Sequence, residues 1–297
     1  MEKQPKQKRR RGDRIDAVRV RDLDGLHAIV PAMLPNRADN EAFIRELVDT
    51  TNLEKYVAEK NAAGPQYKYT MFQVFLAAMG RTVAMRPRMN RFIKGGKYFD
   101  RNHISFSLIA KKAFADDGAE SIAILKYDPT SEKSSMDEMH DKLCAFVNEV
   151  RHKDKTDETT GTIDLIVKTG LVGFIMRLLF WLDERGHMPR TLVEEDPYNS
   201  TVFLSNLGSI KLNAGYHHLT NWGTNSVFVV IGERHMHPYY DDAGSVSMRP
   251  AVEVGLTLDE RIADGYYYSR TVKLLKALLD DPWLLDVPCN EALHVEY

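Results

Sequence analysis

Two stretches of this sequence concentrate residue types that move protons. One is Asp259-Glu260-Arg261-Ile262-Ala263-Asp264-Gly265, and the other is Gly215-Tyr216-His217-His218-Leu219. A histidine serves as a base wherever it meets a nucleophile in space, whatever its position in the chain. The plain alternative for the His217-His218 pair is a surface or packing role. A carboxylate such as Glu260 behaves differently. Its reference pKa is about 4.3 against about 8.5 for a thiol, so in water it is a poor base for one. Burial raises a carboxylate toward about 6–7, the range in which it does work as a base. A third stretch, Phe203-Leu204-Ser205-Asn206-Leu207-Gly208, reads by itself as a strand followed by a turn. His235-Met236-His237 has an i, i+2 spacing suited to a metal on a strand, but no third ligand is obvious, so no metal site is expected.

These groups need a scaffold, and the hydrophobic spacing supplies one. Residues 70–85 repeat Phe72, Phe75, Leu76, Met79 and Val83 at helical spacing, with Thr70 as a cap and Pro87 as the stop. Gly95-Gly96 marks a hairpin between two short runs. Segments 104–110 and 121–126 read as strands, and 131–152 as a polar helix with Met136, Met139, Leu143, Phe146 and Val147 on one face. Segment 18–37 reads as a short strand or turn and then a helix, 40–47 as an extended or helical entry, and 53–60 as a short helix. Strands are expected at 200–205, 226–233 and 251–259. A final helix at 265–280 carries Val272, Leu275, Leu278 and Leu279 at helical spacing and stops at Pro282. Alternating strands and helices with no repeat and no Gly/Ser-rich linker give one α/β domain over 15–297, preceded by a basic flexible arm over 1–14.

The bulk composition narrows the function classes. With 297 residues and 43% hydrophobic content the chain can bury a substantial core. A net charge of -2 exerts no global pull on nucleic acid, so no nucleic-acid partner is expected. Its two cysteines, Cys144 and Cys289, are far apart, which points to a reducing, cytoplasmic setting. The apolar segment 165–182 is interrupted by Lys168 and Arg177 and reads as a buried or interface helix. Together with the arm it also allows a peripheral membrane contact.

Three segments in order now resemble one family: Asn90-Arg91-Phe92-Ile93 with the strand from Ile104 to Lys112, the Ser205-Asn206-Leu207-Gly208 element, and the strand Ala251–Leu258 leading into Asp259–Gly265. Together they look like the chloramphenicol acetyltransferase superfamily, nearest to the acyltransferase core of 2-oxoacid dehydrogenase complexes. The resemblance covers about Arg14 to Pro282, and 153–197 fits it less well. It implies a two-layer sandwich with a mixed β-sheet covered by helices. It implies a CoA-dependent acyltransferase with CoA or acyl-CoA as substrate, no bound cofactor, and a homotrimer with active sites between subunits. A lipoyl-carrying protein in trans would bring lipoyl-linked acyl groups, because no lipoyl-type segment stands in this sequence. By the resemblance Ser205 donates to the oxyanion, Asn206 and His217 line the substrate channel, and Asp264 and Gly265 form the structural part of a His-x-x-x-Asp-Gly motif. The motif departs here in one letter, since Glu260 stands where the histidine is expected. Glu260 is then a re-tuned base, or His218 supplies the imidazole. The alternative is an inactive member that serves as an oligomeric scaffold or acyl-CoA-binding subunit.

Overall fold

The computed structural model describes residues 10–111, 120–152 and 170–297. In chain order its main elements are β1 (Ala17–Arg19), α1 (Gly25–Met33), β2 (Glu41–Asp49), α2 (Thr51–Ala62), α3 (Met71–Met85), β3 (Arg91–Lys94), β4 (Lys97–Arg101), β5 (Ile104–Lys111) and β6 (Glu120–Tyr127). There follow α4 (Ser135–His152), α5 (Val172–Glu184), α6 (Arg190–Glu195), β7 (Val202–Asn206), β8 (Val227–Tyr240), β9 (Val246–Asp259) and α7 (Gly265–Asp280).

A continuous apolar run such as Val227-Phe228-Val229-Val230-Ile231 suits a strand buried on both faces. It forms the inner half of β8, at the centre of a six-stranded sheet ordered β2-β9-β8-β7-β5-β6. The short β7 runs parallel to β5 and β8, and the remaining pairs are antiparallel, so the sheet is mixed as expected. On one face Val202, Leu204, Val229, Ile231, Val254, Leu256 and Leu258 join a single large core with residues of α2, α3, α4 and α7. Helix α3 runs through this core, and its Gly80 lies so close to the Tyr127 ring that no larger residue fits. The other face is thinner: Phe203, Phe228 and Val230 pack with Leu219. A separate three-stranded sheet, β1-β4-β3, carries the expected Gly95-Gly96 hairpin and a small core of Ala17, Phe92 and Phe99.

Several elements differ from the sequence expectation. Strands β8 and β9 extend well past 226–233 and 251–259, because a two-stranded ribbon projects to Tyr240 and returns from Val246. Most of its side chains are exposed, so its backbone pairing left little hydrophobic pattern to read. Segment 40–47, open between extended and helical, is strand β2. The chain also becomes fixed before residue 15: Asp13 and Arg14 are buried, and Arg14 pairs with Asp16 and Asp183. Residues 1–9 and 165–169, parts of the arm and of the apolar segment, lie outside the described residues. Residues 172–182 of that segment fall in α5, which exposes Phe174, Leu178 and Trp181 and buries Asp183. Among the described residues, no helix is long and apolar enough to cross a membrane.

Candidate active site

The Asp259–Gly265 run leaves the end of β9, turns and opens α7. Asp264 has extended backbone and caps the helix: its carboxylate accepts from Tyr267 N–H at 2.8 Å. That bond, with Arg88 3.7 Å away, holds the carboxyl below its ordinary range. Gly265 is the first residue of the helix. Of the three tyrosines that follow, Tyr268 is buried and donates to Asp259 O at 2.5 Å. Tyr267 lies under the Arg86 guanidinium, and Tyr266 is exposed.

The turn is locked by a buried charge cluster that sequence reasoning missed. Asp259 is fully buried and takes a bidentate pair from Arg261 at 2.7 and 2.8 Å, with Arg37 Nε 3.5 Å away. Arg261 also donates to Leu34 O and Pro35 O, and Tyr98 donates to Arg261 O. Arg37 reaches Thr220 O at 2.8 Å, and Asn221 Oδ1 accepts from its backbone N–H. Burial pushes the Arg37 guanidinium down to about 10 against the pull of Asp259, which leaves it charged at neutral pH. Lys94 pairs with Asp183 at 2.7 Å and donates to Asn221 O and Gly223 O. The only local signal was the Asp-x-Arg of the motif. Arg37 and Lys94 lie far from it in sequence and carried none.

Through those bonds the cluster holds residues 211–223 as a strap over the thinner face of the sheet. The strap passes so close to β9 that a side chain at Gly255 would meet Gly215 O. His217 stacks on Phe228, with ring centroids 4.5 Å apart and planes 17° off parallel. Beside it His218 Nδ1 lies 2.8 Å from Glu41 Oε2, on the edge strand β2. The other oxygen of Glu41 accepts from Leu219 N–H. Glu41 pairs in register with Asp259, and Glu260 N–H donates to Asn40 O at 3.1 Å. His218 and Glu260 therefore share one end of the sheet. Glu260 itself is exposed and, among the described residues, makes no side-chain hydrogen bond or ion pair.

Ser205 stands elsewhere. It is a half-buried residue of β7 on the thinner face, in register with Val230, which in turn pairs with Gly255. Asp259, the last residue of β9, is four residues further along, about 13 Å at the rise of a strand, and Glu260 lies in the turn beyond it. One chain thus does not bring Ser205 together with Glu260 or His218. The Ser205 hydroxyl has no hydrogen-bond partner among the described residues. Next to it Asn206 lines a cavity of about 300 Å³ with Phe72, Ser209 and Arg234. His235 and His237 lie on the exposed ribbon with rings 6.5 Å apart, and among the described residues no cluster of three His, Cys, Asp or Glu is placed to hold a metal.

Residues 184–287, which hold the strap, β7 to β9, the Asp259–Gly265 turn and α7, match the family model of the 2-oxoacid dehydrogenases acyltransferase (catalytic domain). A probable dihydrolipoamide acetyltransferase from Listeria monocytogenes 4b F2365 is similar in structure, with a TM-score of 0.55, 16% identity, and coverage of 93% of this chain and 99% of that one. A chloramphenicol acetyltransferase gives 0.57 at 12% identity, over 89% of this chain and 99% of that one. The dihydrolipoamide acetyltransferase of Azotobacter vinelandii, in which a serine, a histidine and an asparagine were investigated for their role in the catalytic mechanism, gives 0.54 at 14% identity, over 90% and 93%. No curated protein matches in sequence. At these identities the structural likeness establishes the fold, which is chloramphenicol acetyltransferase-like.

Proposed function

We propose that this protein is a CoA-dependent acyltransferase of the 2-oxoacid dehydrogenase type, active in the cytoplasm. The acyl–sulfur bond of an acyl-CoA breaks and a bond to a thiol, alcohol or amine acceptor forms. The acceptor gives its proton to a base, and the departing CoA sulfur receives one. Ser205 donates its hydroxyl to the oxyanion of the intermediate, where a pre-oriented donor is most effective. The base comes from the other end of the same sheet face, where Glu260 and His218 stand. The observation that carries this reading is that one family-matched stretch holds both Ser205 and the capped, ion-locked turn beside His218.

The separation of the two half-sites within one chain supports a site shared between copies, completed in a homotrimer by a neighbour's Ser205. Acyl groups carried on lipoyl would arrive on another protein in trans. Acetyl-CoA incubated with dihydrolipoamide, and separately with alcohol and amine acceptors, tests the reaction. Mass spectrometry should detect an acylated acceptor, and light scattering should give the mass of three chains. Failure with every acceptor across a panel of acyl-CoA chain lengths sinks the reading.

A second reading draws on the exposed carboxylate of Glu260, unpartnered among the described residues: a member that keeps the fold as a scaffold or acyl-CoA-binding subunit and has lost the reaction. It predicts acyl-CoA binding without turnover in the natural protein and transfer only in Glu260→His.

A further inference from the structure

We infer that Glu41 is the positioning carboxylate of an imidazole base, His218, which does the work that the motif's missing histidine leaves undone at residue 260. This rests on the acyl-transfer reading above.

Burial separates the two partners sharply. The Glu41 side chain is 4% exposed, while that of His218 is 83% exposed. Both oxygens of Glu41 are committed, one to His218 Nδ1 at 2.8 Å and the other to the N–H of Leu219, the next residue. The carboxylate therefore grips two successive residues of the strap, and the ring cannot turn away without breaking its bond to Glu41. A carboxylate has no proton to donate, so Nδ1 must carry the hydrogen. Nε2 is then left with its lone pair facing outward.

Location makes this pair relevant to the reaction. Glu41 lies opposite Asp259, next to the Asn40 carbonyl that holds the backbone of Glu260. The strap is fixed on the next residues too, by Arg37 to Thr220 O and by Lys94 to Asn221 O. The imidazole is thus presented on a braced support at the end of the sheet where the family motif calls for one. Chemistry favours it over its neighbour: the reference pKa of an imidazole, about 6.5, lies far nearer that of a thiol than the 4.3 of a carboxylate. In the step itself Nε2 takes the acceptor's proton as the acceptor attacks the acyl carbon. The carbon–sulfur bond to CoA breaks, and the imidazolium returns the proton to the leaving thiolate. The Glu41 carboxylate beside Nδ1 stabilises the imidazolium.

Glu41→Gln tests the pair with little change of shape. The amide must keep its oxygen toward Leu219 N–H, which only donates. Its NH2 then faces His218 Nδ1 and drives the hydrogen to Nε2. In the full chain labelled with 15N-histidine, His218 should be the Nδ1–H tautomer in the natural protein and the Nε2–H tautomer in Glu41→Gln. With acetyl-CoA and dihydrolipoamide, kcat should fall by about a hundredfold or more in Glu41→Gln and in His218→Gln, with KM for acetyl-CoA within about twofold. An Nε2–H tautomer in the natural protein overturns the pair. A switched tautomer with kcat unchanged overturns the base role. No transfer by the natural protein, with the tautomers as stated, overturns the acyltransferase reading and the base role with it.

Discussion

The two ends of the thinner sheet face are built from different forces. At the Glu260 end, buried Asp259 is gripped by Arg261 and Arg37, and a linked set of Lys94, Asp183, Arg14 and Asp16 ties the strap and the first strand to it. At the Ser205 end no such cluster forms among the described residues: Phe203 stacks on Phe228 at 4.9 Å, and β7 is held by backbone bonds to strands on either side. The difference teaches what each half-site needs. A base must stay oriented while its charge changes, and ions and hydrogen bonds supply that. A hydroxyl donor to an oxyanion needs a rigid, neutral strand, and apolar packing is enough.

The strongest way to break the comparison is Asp259→Asn. It strands two buried guanidiniums without their carboxylate, and the expected loss is about 3–5 kcal/mol in urea unfolding. A loss under about 1 kcal/mol would mean that packing, not charge, holds that end. Ser205→Ala should do the reverse, lowering kcat for acyl transfer by about 10²–10³ while moving stability by less than about 0.5 kcal/mol. A large stability loss there would show that the hydroxyl is structural. Asp264→Ala removes the cap of α7 and should cost about 1 kcal/mol in thermal or urea unfolding. Its exposed pairing with Arg88 adds little.

The smallest effect concerns acid. Burial depresses the His103 imidazole below its ordinary 6.5, and Lys126 and Arg101 reinforce the shift. Below pH 6.5 the unfolded chain then binds a proton that the folded chain resists. The stability associated with His103 is therefore present above that pH and is lost as the pH falls toward the depressed value. His103→Gln should flatten the slope of the unfolding midpoint in that window. An unchanged slope would place the acid sensitivity elsewhere, for instance at His140, whose imidazole burial also depresses.

Much of this was legible where the signal is local. Helix α7 runs where its Val272-Leu275-Leu278-Leu279 spacing and the Pro282 stop placed it. The Gly95-Gly96 hairpin and β5 to β7 fell close to their expected places for the same reason. The outer ribbon of β8 and β9 was not legible, because exposed strands pair through backbone groups that every residue shares. The charge cluster was hidden as well. Arg37 and Lys94 resemble surface cations in sequence, and only the closure of the strap buries them.

By itself, then, the sequence determined most of the element order, the Thr70 cap of α3, the family-like motif and the letter in which it departs. Those follow from spacing and residue type over a few turns of chain. Tertiary structure decided that Glu260 is exposed, that Ser205 stands well along the sheet from it, and that Glu41 meets His218 across 177 residues. Such contacts depend on sheet register and on which side chains the core excludes from water, and neither is written in neighbouring residues.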